Sequence, residues 1–220
     1  MATVAKQVNS IQQSVAPRLP VSPIEYDQRF MDEFIRILRL YFNQLDNINS
    51  GILGQSGGAY LHTIYGSYLS NTDQHFTAAN TPQLITFGTT QYSNGATLSA
   101  STQIGVNQSG LYLFNYALQL ANTDTNIHNV QIWLRQNGTD IPNTGSKIDV
   151  PVHHGAVDGY VSATGAFFVR MNAGDYIEMV GVCDSTLVYI ENYAAQTSPY
   201  TRPAIPAVVV TLSFVSSVQG

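Results

Sequence analysis

The sequence predicts a mainly β chain: a large domain of many short strands, preceded by an extended N-terminal arm and one long α-helix. Three observations carry this. Residues 110–122, GLYLFNYALQLAN, alternate strictly. Tyr112, Phe114, Tyr116, Leu118 and Leu120 fall on one side, and Leu111, Leu113, Asn115, Ala117 and Gln119 on the other, which is the period of a β-strand. Turn-forming clusters (SNGA, NQSG, RQNGTD, PNTGS, NAGD, TSPYTRP) punctuate the chain after residue 59 and divide it into strand-length pieces. Ahead of them, one stretch carries apolar residues at alternating gaps of three and four, the signature of a helix.

Composition agrees with a rigid, turn-rich β structure. Of 220 residues only 10% are charged, against roughly 25% in a typical soluble domain, while 44% are hydrophobic. Asn, Gln, Ser and Thr supply the polarity. The net charge of −5 argues against a nucleic-acid partner, which needs a basic patch to displace counterions. No segment is long and apolar enough to span a membrane. The single cysteine, Cys183, allows neither an internal disulfide nor a thiolate zinc site and reads as a small buried hydrophobe.

Residues 1–21 form the arm, polar and without a clear period. The opening MATVAKQVNSIQQSVAPRLP contains no apolar run resembling a signal peptide, so folding in a cytoplasm is expected. Residues 22–50 read as the helix. Ser22-Pro23-Ile24-Glu25 forms a capping box with proline at the first helical position. Glu25–Arg29 and Asp32–Arg36 are i,i+4 pairs in the favourable orientation, and Asn49-Ser50-Gly51 supplies a stop. Met31, Phe34, Leu38, Tyr41, Leu45, Ile48 and Ile52 make an a/d seam, flanked at e and g positions by Phe30, Ile35, Ile37 and Phe42. Asp32, Arg36, Arg39, Asn43 and Asp46 fill the far side. So wide a stripe suits several helices or a coil that also packs on another protein; an ordinary helix packed on its own domain is the alternative. Residues 51–58, GILGQSGG, read as a flexible linker.

Residues 59–220 read as the β domain, with strands at 60–68, 82–92, 110–121, 128–136, 147–152, 157–170, 175–183, 186–193 and 207–217. Many short strands at such spacing indicate a sandwich or barrel. Trp133, between Ile132 and Leu134, is expected in the core.

Several motifs within this region resemble one family. SGLYLFNYAL, with Gly110, Tyr112 and Phe114, is similar to the G-x-Y-x-F strand of the C1q and tumour-necrosis-factor-like jelly rolls. VRMNAGDYIEM (169–179), with its Gly174-Asp175 turn, resembles a later strand of that family, and VVVTLSFV (208–215) its closing strand. The leader RLPVSPIEYDQRFMDEFIRILRLYFNQLDN (18–47) and the stretch IWLRQNGTDIPNTGSKI (132–148) resemble virion structural proteins of tailed phages, especially those of marine and cyanobacterial hosts. No collagen-like repeat of the complement type is present in the sequence. The resemblance implies a C1q/TNF-like jelly-roll β-sandwich head that assembles as a homotrimer. Leu111, Leu113 and Ala117 would then face neighbouring subunits, which would explain a strand that is apolar on both sides. A central strand covered by a loop of its own chain is the competing explanation.

Chemistry is scarce. His153-His154 is an adjacent pair whose members face opposite sides of a strand, so a metal would need His62, His75 or His128 as well; no metal and no cofactor are expected. There is no nucleophile elbow, P-loop or HExxH motif. Asp149 and Asp158 flank VPVHHGAV, which reads as a solvated loop rather than an acid/base pair. His153, His154, Tyr160, Tyr193 and Tyr200 are candidates for a sugar-binding surface, because aromatic rings stack on sugar faces. The expected function is that of a phage virion structural protein, not an enzyme. Residues 1–50 would contact other virion proteins, and the head would serve as a decoration, fibre or tail-associated knob. Recognition of a host surface glycan or protein is the alternative, and capsule degradation a third.

Overall fold

The computed structural model describes residues 15–21, 23–53 and 63–217. The chain divides into two compact units, Met1–His62 and Thr63–Gly220. In the first, one helix, α1, runs Gln28–Leu53. It starts later than the capping-box pattern predicts. The Asp27 carboxylate accepts the Arg29 N–H at 2.9 Å and the Asp27 carbonyl accepts the Met31 N–H at 3.1 Å, so Asp27 is the N-cap. Pro23, Ile24 and Glu25 precede the helix, which removes the expected Glu25–Arg29 pair; Ser22 lies outside the described residues. Arg36 pairs with Glu33 at i,i+3 instead of Asp32, with Nε and Nη2 donating to the two carboxylate oxygens at 2.8 and 2.7 Å. The helix also runs through the Asn49-Ser50-Gly51 stop to Leu53, because nothing apart from one glycine opposes it there. The remainder of the expected linker, 54–58, lies outside the described residues.

The second unit is an antiparallel β-sandwich. Its strands are β1 (Tyr65–Ser70), β2 (Gln74–His75), β3 (Gln83–Leu84), β4 (Thr89–Asn94), β5 (Ala96–Ser99), β6 (Gln103–Val106), β7 (Gly110–Asn122), β8 (His128–Gln136), β9 (Thr139–Asp140), β10 (Ser146–Val150), β11 (Gly159–Met171), β12 (Tyr176–Cys183), β13 (Val188–Ile190) and β14 (Val208–Ser216). Among the described residues these form two sheets of seven strands each. The first sheet is built on β7. Strand β11 pairs along its whole length, Gly159 with Asn122 through Met171 with Gly110. On the other edge β14 covers Leu111–Leu118 and β13 covers Leu120–Asn122; β1 and β4 continue beyond β14, and β2 beyond β13. The second sheet runs β10-β8-β12-β6-β5, with β3 on β12 and β9 on β8. The chain crosses between the sheets from β6 to β7, β7 to β8, β10 to β11, β11 to β12 and β12 to β13, as in a jelly roll.

The core lies between the sheets. Tyr112, Phe114, Tyr116, Leu118 and Leu120 of β7 are at most 4% exposed. They pack with Val210 and Leu212 of β14, Ile132 and Leu134 of β8, and Ile177 and Met179 of β12. Fully burying each such side chain stabilises by about 1.5–3 kcal/mol. The Tyr112 hydroxyl remains satisfied by donating to the Gln108 carbonyl at 2.6 Å. Two glycines make room for core rings. Gly165 sits opposite Tyr116 in register, and an added Cβ would fall 2.4 Å from that ring; Gly66 does the same beneath Tyr68. Cys183 is buried as expected, and burial pushes its thiol up to about 11.

Two expectations about strands change for visible reasons. The single strand expected at 82–92 is two, β3 and β4, because the chain crosses between sheets there. The Ile85 N–H bonds the Met179 carbonyl in the second sheet, and the Gly88 N–H bonds Leu69 in the first. The β5–β6 hairpin was not expected; its turn places Ala100 and Ser101 at φ 49° and 59° without a glycine, so it lacks the usual hairpin signature. Trp133 is not in the core. With Val130, Ile132 and Leu134 all pointing inward, its odd position faces the outer side of β8, opposite Val180.

Candidate functional site

The outer side of the first sheet is large and almost neutral. On β7 it presents Leu111, Leu113, Asn115, Ala117 and Gln119, all half-buried. In register with them on β11 stand Arg170, Phe168, Ala166, Thr164 and Ser162, and on β14 Ser213, Thr211 and Val209 opposite Leu113, Asn115 and Ala117. Arg170 is the one charge on this three-strand block among the described residues. Phe168 is 65% exposed beside Leu113, so no described segment of the chain closes over that row. The expected alternative, a covering loop, has no counterpart among the described residues. Tyr65 and Tyr92 extend the exposed aromatic character onto β1 and β4.

Helix α1 carries a second apolar surface. Met31, Ile35, Leu40 and Phe42 are exposed; Phe30, Phe34, Leu38, Tyr41, Leu45 and Ile48 are half-exposed. None is buried. The rings of Phe30 and Phe34, four residues apart, stack at 6.2 Å. The opposite side holds the Glu33–Arg36 pair, in which the mutual hydrogen bond lowers the carboxyl and raises the guanidinium. Ile52, the last member of the seam, lies within the helix, but its side chain is outside the described set.

The candidate sugar surface assembles in part. Register across the 122 end of the first sheet aligns Tyr160 of β11, Ala121 of β7, Tyr189 of β13 and His75 of β2. Ala121 is small and fully buried, and larger side chains flank it. The His75 and Tyr189 rings stack at 4.7 Å, and the Tyr160 and Tyr193 rings meet at 5.9 Å. Tyr193 is reached through a long loop after β13, closed by bridges between Tyr193 and Ile205 and between Gln196 and Arg202. The Arg202 guanidinium lies over the Tyr193 ring at 5.6 Å and donates to the carbonyls of Ala194 and Pro203 at 2.9 and 3.1 Å. Tyr189, Glu191 and Tyr193 occupy alternate positions. Burial first, then the Glu191 charge, raises the phenols of Tyr160 and Tyr189; burial first, then the Glu191 hydrogen bond, raises that of Tyr193. His153 Nδ1 pairs with Asp158 Oδ1 at 3.2 Å, two residues from Tyr160. His154 instead exchanges backbone hydrogen bonds with Val157, and Tyr200 sits within the loop closed by Gln196 and Arg202. No ring contact or side-chain hydrogen bond joins either to the Tyr160–Tyr193 pair among the described residues.

The histidines named as metal donors are spread apart in role. His75 stacks on Tyr189, and His62 lies outside the described residues. His128 is clamped between two carboxylates: Nε2 to Asp124 Oδ2 at 2.8 Å and Nδ1 to Asp184 Oδ1 at 3.0 Å. Asp149 accepts from Asn129 Nδ2 at 2.8 Å. Among the described residues no group of three His, Cys, Asp or Glu is placed to hold a metal ion. Tyr189 and Glu191 fall within the strand expected at 186–193, and His75 is expected only as a metal donor; their meeting is not visible in the sequence because β2 is two residues long and its pairing with β13 depends on register. The chain matches no protein-family description, and no curated protein is significantly similar to it.

Proposed function

We propose that this chain is a homotrimeric structural protein of a bacteriophage particle. Its N-terminal arm and helix fix it to other virion proteins, and its β-sandwich head, of C1q/TNF-like jelly-roll type, projects as a decoration, fibre or tail-associated knob. The observation that carries the reading is the open, neutral outer side of the first sheet, where Leu111, Leu113, Ala117 and Phe168 line up with almost no charge. A contiguous apolar surface of this kind on a soluble head is a place for another subunit. The uncovered stripe of α1 supports attachment by the same physics, and the likeness of the leader to phage virion proteins supplies the setting. Light scattering on the purified protein is expected to give three times the 24.0 kDa chain mass; a monodisperse monomer at micromolar concentration would overturn the proposal. Leu113→Arg places an unpaired charge in the interface, a defect costing about 3–5 kcal/mol when fully buried, and should shift the mass to that of one chain.

A further inference from the structure

We infer that the 122 end of the first sheet carries a shallow site for a neutral, hydroxyl-rich sugar, with Tyr160 as the stacking ring and the Asp158–His153 pair as the polar reader. This goes beyond the assembly role proposed above and does not depend on it.

The geometry provides both halves of such a site. Tyr160 is 45% exposed and its ring is held against Tyr193, so it offers a fixed aromatic surface to the apolar face of a pyranose. The backbone that aims it is rigid: at Gly159, a Cβ would fall 1.9 Å from the Pro151 carbonyl oxygen, so the loop before β11 is packed directly on this turn. Asp158 and His153, about three-quarters buried at 26% and 27% side-chain exposure, bond each other through Oδ1 and Nδ1. Among the described residues that leaves Asp158 Oδ2 and His153 Nε2 without a hydrogen-bond partner. An acceptor beside a ring nitrogen is what two adjacent hydroxyls require, since each hydroxyl both donates and accepts.

The local charge selects the ligand class. Asp73, Asp158 and Glu191 all act on the phenols of this cluster. Arg202, the cation lying over the Tyr193 ring, is also engaged by two carbonyls. A carboxylated or sulfated sugar would therefore meet like charge. An ammonium ligand is disfavoured on shape, because the ring pairs touch each other at 4.7 and 5.9 Å and enclose no cage between them. The site lies on the same face as the proposed subunit contact, toward the 122 end: Ala121, beside Tyr160, stands four residues along β7 from Ala117, the nearest residue of that contact, about 14 Å at 3.4 Å per residue.

The test is saturation-transfer NMR on the full-length chain. The panel is the methyl glycosides of glucose, galactose, mannose and N-acetylglucosamine, with galacturonate and N-acetylneuraminate as the acidic arm and tetramethylammonium as the cationic arm. At least one neutral glycoside is expected to bind and the other arms to stay silent. Tyr160→Ala should weaken that binding at least about tenfold, Tyr160→Phe should retain it, and Asp158→Asn should weaken it without altering the fold. Binding by no neutral glycoside, binding by the acidic or cationic arm alone, or unchanged affinity in Tyr160→Ala overturns the site. So does a change of oligomeric mass in Tyr160→Ala, which would make the ring part of a subunit interface; an intact mass with no sugar bound defeats this inference and leaves the assembly proposal standing.

Discussion

His128 stands with each ring nitrogen against a carboxylate, Asp124 from the loop after β7 and Asp184 from the turn after β12. The Asp124 side is the better defined. Its hydrogen bond from His128, with help from Asn126 and the Thr125 N–H, holds its carboxyl down at about 2. A carboxyl lower in the folded than in the unfolded chain stabilises above its ordinary pKa and loses that contribution as pH falls through the folded value. Stability is therefore expected to fall between about pH 4 and pH 2, and Asp124→Asn should flatten that part of the profile in urea titrations at stepped pH. Gly159 makes a sharper steric prediction. With the Pro151 oxygen 1.9 Å from where a Cβ would sit, Gly159→Ala must displace the backbone. A loss of about 1–3 kcal/mol is expected, as for other overpacked sites, read as a lower denaturation midpoint with an unchanged slope.

Helix α1 sets an energetic problem for its own unit. Met31, Ile35, Leu40 and Phe42 stand exposed, and burying such side chains is worth about 1.5–3 kcal/mol each, so the stripe is a strong contact for whatever covers it. Electrostatics contribute little, since the far side mixes Asp and Arg. The particle attachment proposed above should therefore persist in 1 M salt, where exposed ion pairs are screened. Ile35→Glu with Phe42→Glu should release the chain while leaving the mass of the head assembly unchanged; sedimentation of particles with bound protein checks both. This helix also shows what the residue pattern reveals and hides. Its apolar period is fixed by residues that recur every three or four positions, and it survives in the structure. Its start does not, because Ser22-Pro23 and Asp27 offer competing caps and only the local hydrogen bonds choose between them. The long strands β7, β8, β11 and β12 are legible for the same reason as the helix, having enough residues to display a period. The short ones are less so: β2 has too few residues to show a period, β13 occupies only part of the strand expected at 186–193, and the stacking of His75 on Tyr189 is invisible until the register is known. Tyr160 and Tyr193 could be named from sequence as exposed aromatics, but nothing local said that they meet.

Taken as a molecule, the chain joins a helical unit to a β-sandwich that has a core of its own. Residues 63–220 expressed alone should fold and keep the oligomeric mass of the full chain, while losing attachment; analytical ultracentrifugation and a particle-binding assay test the two halves, and failure of the fragment to fold would mean that the helical unit belongs to the core. Strand β11 pairs with β7 along thirteen residues, but no described strand pairs with its other edge. It contains no proline or lysine, and its one charge, Arg170, lies at the end. Natural edge strands are usually guarded by such residues or by bulges, because a bare edge templates the addition of further strands. The chain thus carries a long adhesive border, and its solubility depends on whether that border is covered. High concentrations of chain with this edge uncovered would favour cross-β deposits, so aggregation propensity belongs to the bare border rather than to the packing of the core.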